Sequence, residues 1–577
     1  MEPTGAKANP IESKGDDFSK SKLLDYDTVL HYIGGFGVFQ LRIYILIWLA
    51  AMYCSVAVMS FSFTGAVLEH RCELPECEAN EINCSKSVWT DAINASSYPE
   101  DTNAFRCRRF TNISLVEGFC TSVEDVKNET RCNKWIYDDS VMKTSIISEF
   151  NLVCDNAWVE PVLASAYMFG MVIGSVSFGA IADKIGRLKT FMVVVAIAAT
   201  VQTAAAFSIN PEMFFALRFF SGFSVIGLYQ LLNVLGTEYV GSEIRLKLTF
   251  IQSIFFSIGS CSVGVIALFI KDWRVLQLVY GAPGFLLLLY WWILPESCRW
   301  LITQGRIKEA KKIVELASKL NKKTIPEHLL CTSIDEVAEQ SCKNNTDKEE
   351  TSASAKTNIN GTMLDVLKNS ILRKRALFMF FVWFSLAMSY YGLSMVVTDL
   401  SDNYFLNYEL VMLVEIPSYI AGIFLVGVLG RRTILVTTTL AGGIGCLAAG
   451  FVPSDIAWLS STFSLIGKFF VSAGYALLYQ YTGELFPTSV RSTAIGTSSM
   501  FARFGTVLAP YVASLSSYGL IVPFSIFGAV ALVSSLAVVN LPETKDRNLP
   551  ETLEAAADLE KYRLKLPWCK TNESEQS

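Results

Sequence analysis

The chain has 577 residues, is 52% hydrophobic and only 18% charged, and carries a net charge of −5. Its apolar residues come in long runs separated by short charged loops, which excludes an ordinary soluble domain, where apolar and charged residues alternate. So small a net charge gives no reason to expect a nucleic-acid partner, and none is expected.

The first 40 residues are polar and hold no short apolar region followed by a small-residue cleavage site. They read as an N-terminal arm rather than a signal peptide, with the first span an uncleaved anchor. Spans are predicted at 41–63, 158–182, 190–209, 213–237, 248–270, 275–295, 376–398, 409–429, 433–452, 456–480, 492–515 and 520–541. The fold class is therefore an all-α membrane protein of twelve transmembrane helices in two six-helix halves. Its expected parts are an arm (1–40), a first half (41–295) with a large loop at 64–157, a polar loop (296–375), a second half (376–541) and a tail (542–577).

Short-loop lysines and arginines set the expected orientation. Lys184, Arg187 and Lys189 follow span 2, Arg245 and Lys247 follow span 4, Arg431 and Arg432 follow span 8, and Arg491 follows span 10. On the other side only Lys271 and Arg274 are basic, so both termini and the middle loop are expected in the cytoplasm, with loop 64–157 outside. That loop carries Cys72, Cys77, Cys84, Cys107, Cys120 and Cys132, enough for three disulfides of undetermined connectivity, while Cys154 is unassigned. It also carries glycosylation sequons at Asn83, Asn94, Asn112 and Asn128. Within the middle loop, Ile307, Ala310, Ile313, Val314 and Ala317 have helical spacing, so a short helix is expected over 304–320.

Motifs recur at matching places in the two halves. After span 2 the chain reads Gly179-x-x-x-Asp183-Lys184-x-Gly186-Arg187, where glycines permit a tight turn and close helix approach and Asp183 can pair with Arg187 as a gating latch. The loop after span 8 has Gly430-Arg431-Arg432, but Gly427 and Val428 occupy the places of the charged pair, so this second latch reads as incomplete. Spans 4 and 10 end with Glu238 and Arg245, and with Glu484 and Arg491, each pair seven apart around a helix break. Spans 6 and 12 end in Leu294-Pro295-Glu296-Ser297 and Leu541-Pro542-Glu543-Thr544. Two six-span halves with matched inner motifs are the pattern of a major facilitator, whose halves rock about a central site.

Charges at membrane depth point to the ligand. Arg503 lies twelve residues into its span, which at about 1.5 Å per residue is roughly 18 Å, near the middle of a core about 30 Å thick. Lys468 lies near the middle of span 10 and Glu415 in the outer third of span 8. If those two neutralise each other, Arg503 is left for an anionic ligand group. The alternative pairs Arg503 with Glu415 and leaves Lys468 free. Trp383, Tyr390 and Tyr391 on span 7, with Tyr475 and Tyr479 on span 10, fall at helical spacings that suit either an aromatic cage or plain packing.

The outer loop ends in Cys132-x-x-Trp135-x-Tyr137-Asp138-x-Ser140 and Glu149-Phe150-Asn151-Leu152-Val153-Cys154-Asp155. With the Asp183–Arg187 loop, Pro295-Glu296-Ser297-Cys298-Arg299-Trp300-Leu301, the Glu484–Arg491 motif and Leu541-Pro542-Glu543-Thr544, this resembles the organic ion transporters of solute carrier family 22 over about 30–560. Departures are Cys298, where the family usually has proline, and the loop after span 8. Sugar porters share the Pro-Glu motifs but lack the cysteine-rich loop. The resemblance implies a plasma-membrane secondary transporter of small organic ions. Cation-selective members tend to carry aspartate where Arg503 stands, whereas anion and carnitine carriers tend to carry arginine. Met500 to Gly505, Tyr390-Tyr391-Gly392-Leu393 and Gly467-Lys468-Phe469 are similar to those branches, implying carnitine-like zwitterions or organic anions before simple cations. The alternatives are a cation-selective uniporter and, in another class, a glycosylated receptor or adhesion protein with a transporter-like anchor. No glycine-rich phosphate loop or histidine cluster is visible, so no enzyme, cofactor or metal is expected.

Overall fold

A computed structural model describes residues 30–73, 107–323, 363–545 and 556–557, apart from 31, 34, 111–112, 117–118, 123–128, 397–402, 454–455 and 488–489. Cys77, Cys84, Asn83, Asn94, Asn112 and Asn128 lie outside the described residues, and Cys120 is described only in its backbone.

Twelve long helices carry the fold. The first half holds α1 (Val38–Met59), α2 (Val159–Ile185), α3 (Arg187–Ala204), α4 (Pro211–Tyr239), α5 (Ser242–Phe269) and α6 (Trp273–Ile293). The second holds α7 (Ser370–Val396), α8 (Tyr404–Leu413 running on through Glu415–Val428), α9 (Arg431–Phe451), α10 (Ala457–Leu485), α11 (Arg491–Ser514) and α12 (Ile521–Val539). Among the described residues, eleven helices are long and apolar enough to cross a membrane; α11, rich in Ser and Thr and carrying Arg503, is the more polar twelfth. It packs instead between α7 and α2, where protein rather than lipid surrounds its polar side chains.

Helix ends are fixed by local chemistry. Asn403 caps α8 by accepting from the Leu406 amide at 3.1 Å, and Asp272 caps α6 by accepting from Arg274 and Val275. Gly186, at φ +116°, turns the chain between α2 and α3. Within the first half, α2 and α4 approach so closely that a Cβ on Gly170 would meet the Phe219 carbonyl and one on Gly222 the Tyr167 carbonyl. Small residues at such crossings let helices pack in lipid, where no hydrophobic drive separates protein from tails.

The halves meet on the side from which the 64–157 loop leaves. There Ser165 of α2 donates to the Val507 carbonyl of α11 at 3.0 Å, and Tyr408 of α8 donates to the Ser260 carbonyl of α5 at 3.0 Å. Phe63 lies against the rings of Tyr404, Phe405 and Tyr408, and the Tyr404 hydroxyl donates to the Ser62 carbonyl. In the loop, His70–Cys72 pairs antiparallel with Trp135–Tyr137, and Arg108–Phe110 with Glu129–Arg131. Disulfides join Cys72 to Cys132 and Cys107 to Cys154. Cys154, unassigned from sequence, is thus the partner of Cys107, 47 residues earlier in the chain.

Of a smaller compact unit, residues 30–41 (apart from 31 and 34), 238–241 and 297–323 are described. Its helices Cys298–Thr303 and Ile307–Asn321 share an apolar contact of Trp300, Leu301 and Ala310. The Asn321 side chain accepts from the Phe39 amide at 2.9 Å and donates to the Ile33 carbonyl and the Gln40 side chain, tying this helix to the start of α1.

Candidate functional site

A cavity lies among helices of both halves, the place between bundled helices where small-ligand sites often form. Tyr390, Tyr391, Tyr419, Tyr475, Tyr479 and Arg503 line it from the second half, and Cys54, Met171, Tyr229, Asn233, Ser253 and Phe256 are among the first-half residues. Arg503 is 3% exposed. The phenols of Tyr229, Tyr391, Tyr475 and Tyr479 lie around its guanidinium, and among the described residues no carboxylate pairs with it and its Nε has no hydrogen-bond partner.

Behind this wall sits the ion pair. Lys468 Nζ lies 2.9 Å from Glu415 Oε1, and both side chains are fully buried. Lys468 also donates to the Tyr390 carbonyl at 3.0 Å and to Ser394 at 2.7 Å, and its ammonium sits 3.4 Å from the centre of the Tyr390 ring. Ser257 of α5 and Tyr419 donate to the other carboxylate oxygen at 2.7 and 3.4 Å, so Glu415 links the two halves. Of the two pairings open to the sequence, the structure adopts Glu415 with Lys468. Glu415 is deeper than its expected outer third, because α8 begins at Tyr404 and places it near the helix middle. Neither Glu415 nor Lys468 lines the cavity.

The aromatic set divides likewise. Tyr390 stacks on Tyr475 at 5.3 Å between ring centres, forming a wall. Trp383 is fully buried behind it, edge-on to Tyr479 at 4.6 Å and donating to Thr482 at 2.9 Å. It braces the wall and does not line the cavity. The first-half contribution, Tyr229 and Phe256 above all, escaped sequence reading because uncharged aromatics in apolar spans look like packing.

The inner motifs also rearrange. Asp183, near the end of α2, pairs with Arg187, the first residue of α3, at 2.9 Å. A Cβ on Gly179 would meet nothing within 4 Å, so this glycine serves no close approach. Glu296 accepts from the Leu188 amide at the start of α3, and Glu543 accepts from the Arg431 and Arg432 amides at the start of α9. The two Pro-Glu motifs are thus the same helix cap in each half. Arg431 lies 3.3 Å from Glu484, so the second latch is completed from α10 rather than from its own loop. Arg432 instead reaches the Val539 carbonyl. Arg491, expected near Glu484 in the motif, has no hydrogen-bond partner for its Nε and one Nη among the described residues. Glu238 ends α4 and Arg245 lies in the first turns of α5.

Twelve long helices in two halves about a largely aromatic cavity that holds one buried arginine fit the architecture of a multi-pass transporter. The profile of the sugar (and other) transporter family matches residues 127–555. The chain is 36% identical over 534 residues to an organic cation transporter protein of Drosophila melanogaster, covering 92% of this chain and 94% of that one. It is 30% identical over 550 residues to mouse solute carrier family 22 member 21, covering 94% and 95%. It is also 30% identical over 540 residues to human organic cation/carnitine transporter 2, covering 92% and 93%. Among solved structures, the proton:xylose symporter XylE with 6-bromo-6-deoxy-D-glucose aligns at TM-score 0.57 and 15% identity, over 90% of this chain and 98% of that one; this is a likeness of fold. The chain belongs to the sugar (and other) transporter family of major facilitators and, within it, to solute carrier family 22.

Proposed function

We propose that this protein is a plasma-membrane carrier that moves small organic ions bearing a carboxylate or similar anionic group past Arg503 by alternating access, with both termini in the cytoplasm. The observation that carries the substrate reading is charge accounting at the cavity. Lys468 is neutralised by Glu415, whereas Arg503 faces the cavity with phenols around it and no carboxylate among the described residues. A guanidinium in a low-dielectric site is matched by a bidentate anion. The Tyr390–Tyr475 stack beside it suits a quaternary ammonium or flat ring, which together favour carnitine-like zwitterions and organic anions. A second reading, transport of simple organic cations, draws on the same tyrosine wall and on the names of the relatives. The halves pack on the loop side, which under this reading is the closed outer gate of an inward-facing state, while Asp183–Arg187 and Arg431–Glu484 each steady the inner end of one half.

The test is uptake of labelled carnitine, a small aromatic carboxylate and tetraethylammonium in cells expressing wild type or Arg503→Asp. Loss of the carboxylate-bearing compounds in the variant, or a gain of the cation, supports Arg503 as charge selector. Wild-type preference for tetraethylammonium alone would overturn it.

A further inference from the structure

The cavity has a second polar pole, on its first-half wall. Asn233 of α4 and Thr249 and Ser253 of α5 line it, each half-buried. The other first-half residues lining the cavity are apolar, aromatic or the thiol of Cys54. Asn233 is one turn beyond Tyr229, whose phenol lies beside the Asn233 side chain and is also one of those around Arg503. The pole therefore adjoins the guanidinium but carries no charge itself.

How these side chains use their hydrogens decides what the pole can take. The Thr249 hydroxyl donates to the Arg245 carbonyl at 2.9 Å, and the Ser253 hydroxyl to the Thr249 carbonyl at 3.2 Å. A hydroxyl has one hydrogen, so both remain to the cavity as acceptors only. The Asn233 amide donates to the Tyr229 carbonyl at 2.8 Å. A carbonyl can only accept, so the amide nitrogen is held to the helix, leaving the amide oxygen and one spare N–H. Asn233 Oδ1, Thr249 Oγ1 and Ser253 Oγ thus outnumber the single free hydrogen, and the pole matches a donor. A primary ammonium brings three N–H donors. A trimethylammonium brings none and would strip these oxygens of water without replacing it.

We propose that Asn233, Thr249 and Ser253 hold the second end of the substrate and select anions whose other end bears N–H donors, a protonated primary amine above all, over N-methylated counterparts. This rests on the reading of Arg503 as carboxylate anchor and narrows it. The Tyr390–Tyr475 stack does not discriminate, since a cation–π contact needs charge and not hydrogens. Discrimination falls to the first-half wall.

The experiment compares uptake of labelled 4-aminobutyrate and 4-(trimethylammonio)butyrate by cells expressing the full chain, with uptake by untransfected cells subtracted. The two share carboxylate, spacer and charge and differ in N–H donors. Uptake of 4-aminobutyrate at limiting concentration should exceed that of its trimethyl analogue by about tenfold, the cost of leaving buried acceptors unpaired. The ratio should fall toward one in Asn233→Leu. Thr249→Val and Ser253→Ala, which remove little more than an oxygen, should lower it too and replace Asn233→Leu if that variant does not reach the surface. Equal uptake, preference for the trimethyl compound, or a ratio unchanged in these variants overturns the subsite. So does absence of both 4-aminobutyrate uptake and any shift it causes in the unfolding temperature of purified protein. Arg503→Ala separates the two readings: uptake of both compounds surviving it fails the carboxylate anchor, whereas loss of both beside an unchanged ratio in Asn233→Leu fails the subsite alone.

Discussion

Glu415→Gln should destabilise the protein far more than its isosteric shape suggests, and a second substitution, Lys468→Met, should restore most of the loss. At 2.9 Å, with an effective dielectric of about 20, the attraction of the pair is about 6 kcal/mol. Desolvating both ions offsets most of that, so the pair's net contribution is small. Removing one partner is different, since it strands the other charge in a fully buried position, at about 3–5 kcal/mol. Lys468 would keep its bonds to the Tyr390 carbonyl and Ser394, which softens the loss in Glu415→Gln. Lys468→Met leaves Glu415 without its counter-ion and with neutral hydroxyl donors such as Ser257 and Tyr419, and should be the worse single change. In a chain this long each kcal/mol moves the unfolding temperature by about 1–2 °C, less than in small domains, so the single variants should fall by roughly 5 °C. The assay is tryptophan fluorescence during heating of purified wild type, both single variants and the double variant. Strictly additive losses, or single variants within a degree of wild type, would refute the reasoning by showing that the two charges do not depend on each other.

Two further outcomes separate residues that look alike in sequence. Gly179→Ala should leave surface expression and unfolding temperature close to wild type, since its Cβ meets open space, whereas Gly170→Val should abolish folded protein, because the Phe219 backbone blocks it and cannot repack; expression blots and size-exclusion profiles decide this. Cys154→Ser should free the Cys107 thiol, giving maleimide labelling of unreduced protein that wild type lacks at this site; no gain in labelling would reject the bridge.

The spans, the six-and-six division and the family motifs were legible in the sequence because each is a local property: hydropathy over about twenty residues, or a spacing within one loop. The helix over 304–320 was legible for the same reason, since its apolar spacing reappears as Ile307–Asn321. Arg503 stood out because a charge in mid-span violates that local rule. Pairing is not local. Glu415 with Lys468, Glu484 with Arg431, Cys107 with Cys154 and Glu296 over the start of α3 all join residues far apart in the chain. Each partner had more than one chemically acceptable choice, and helix packing alone selected among them. So the chain by itself determined that this is a twelve-helix carrier with a cation at its centre. Only the tertiary structure decided which charges are spent on the scaffold and which are left for a ligand, because that depends on which helix faces meet.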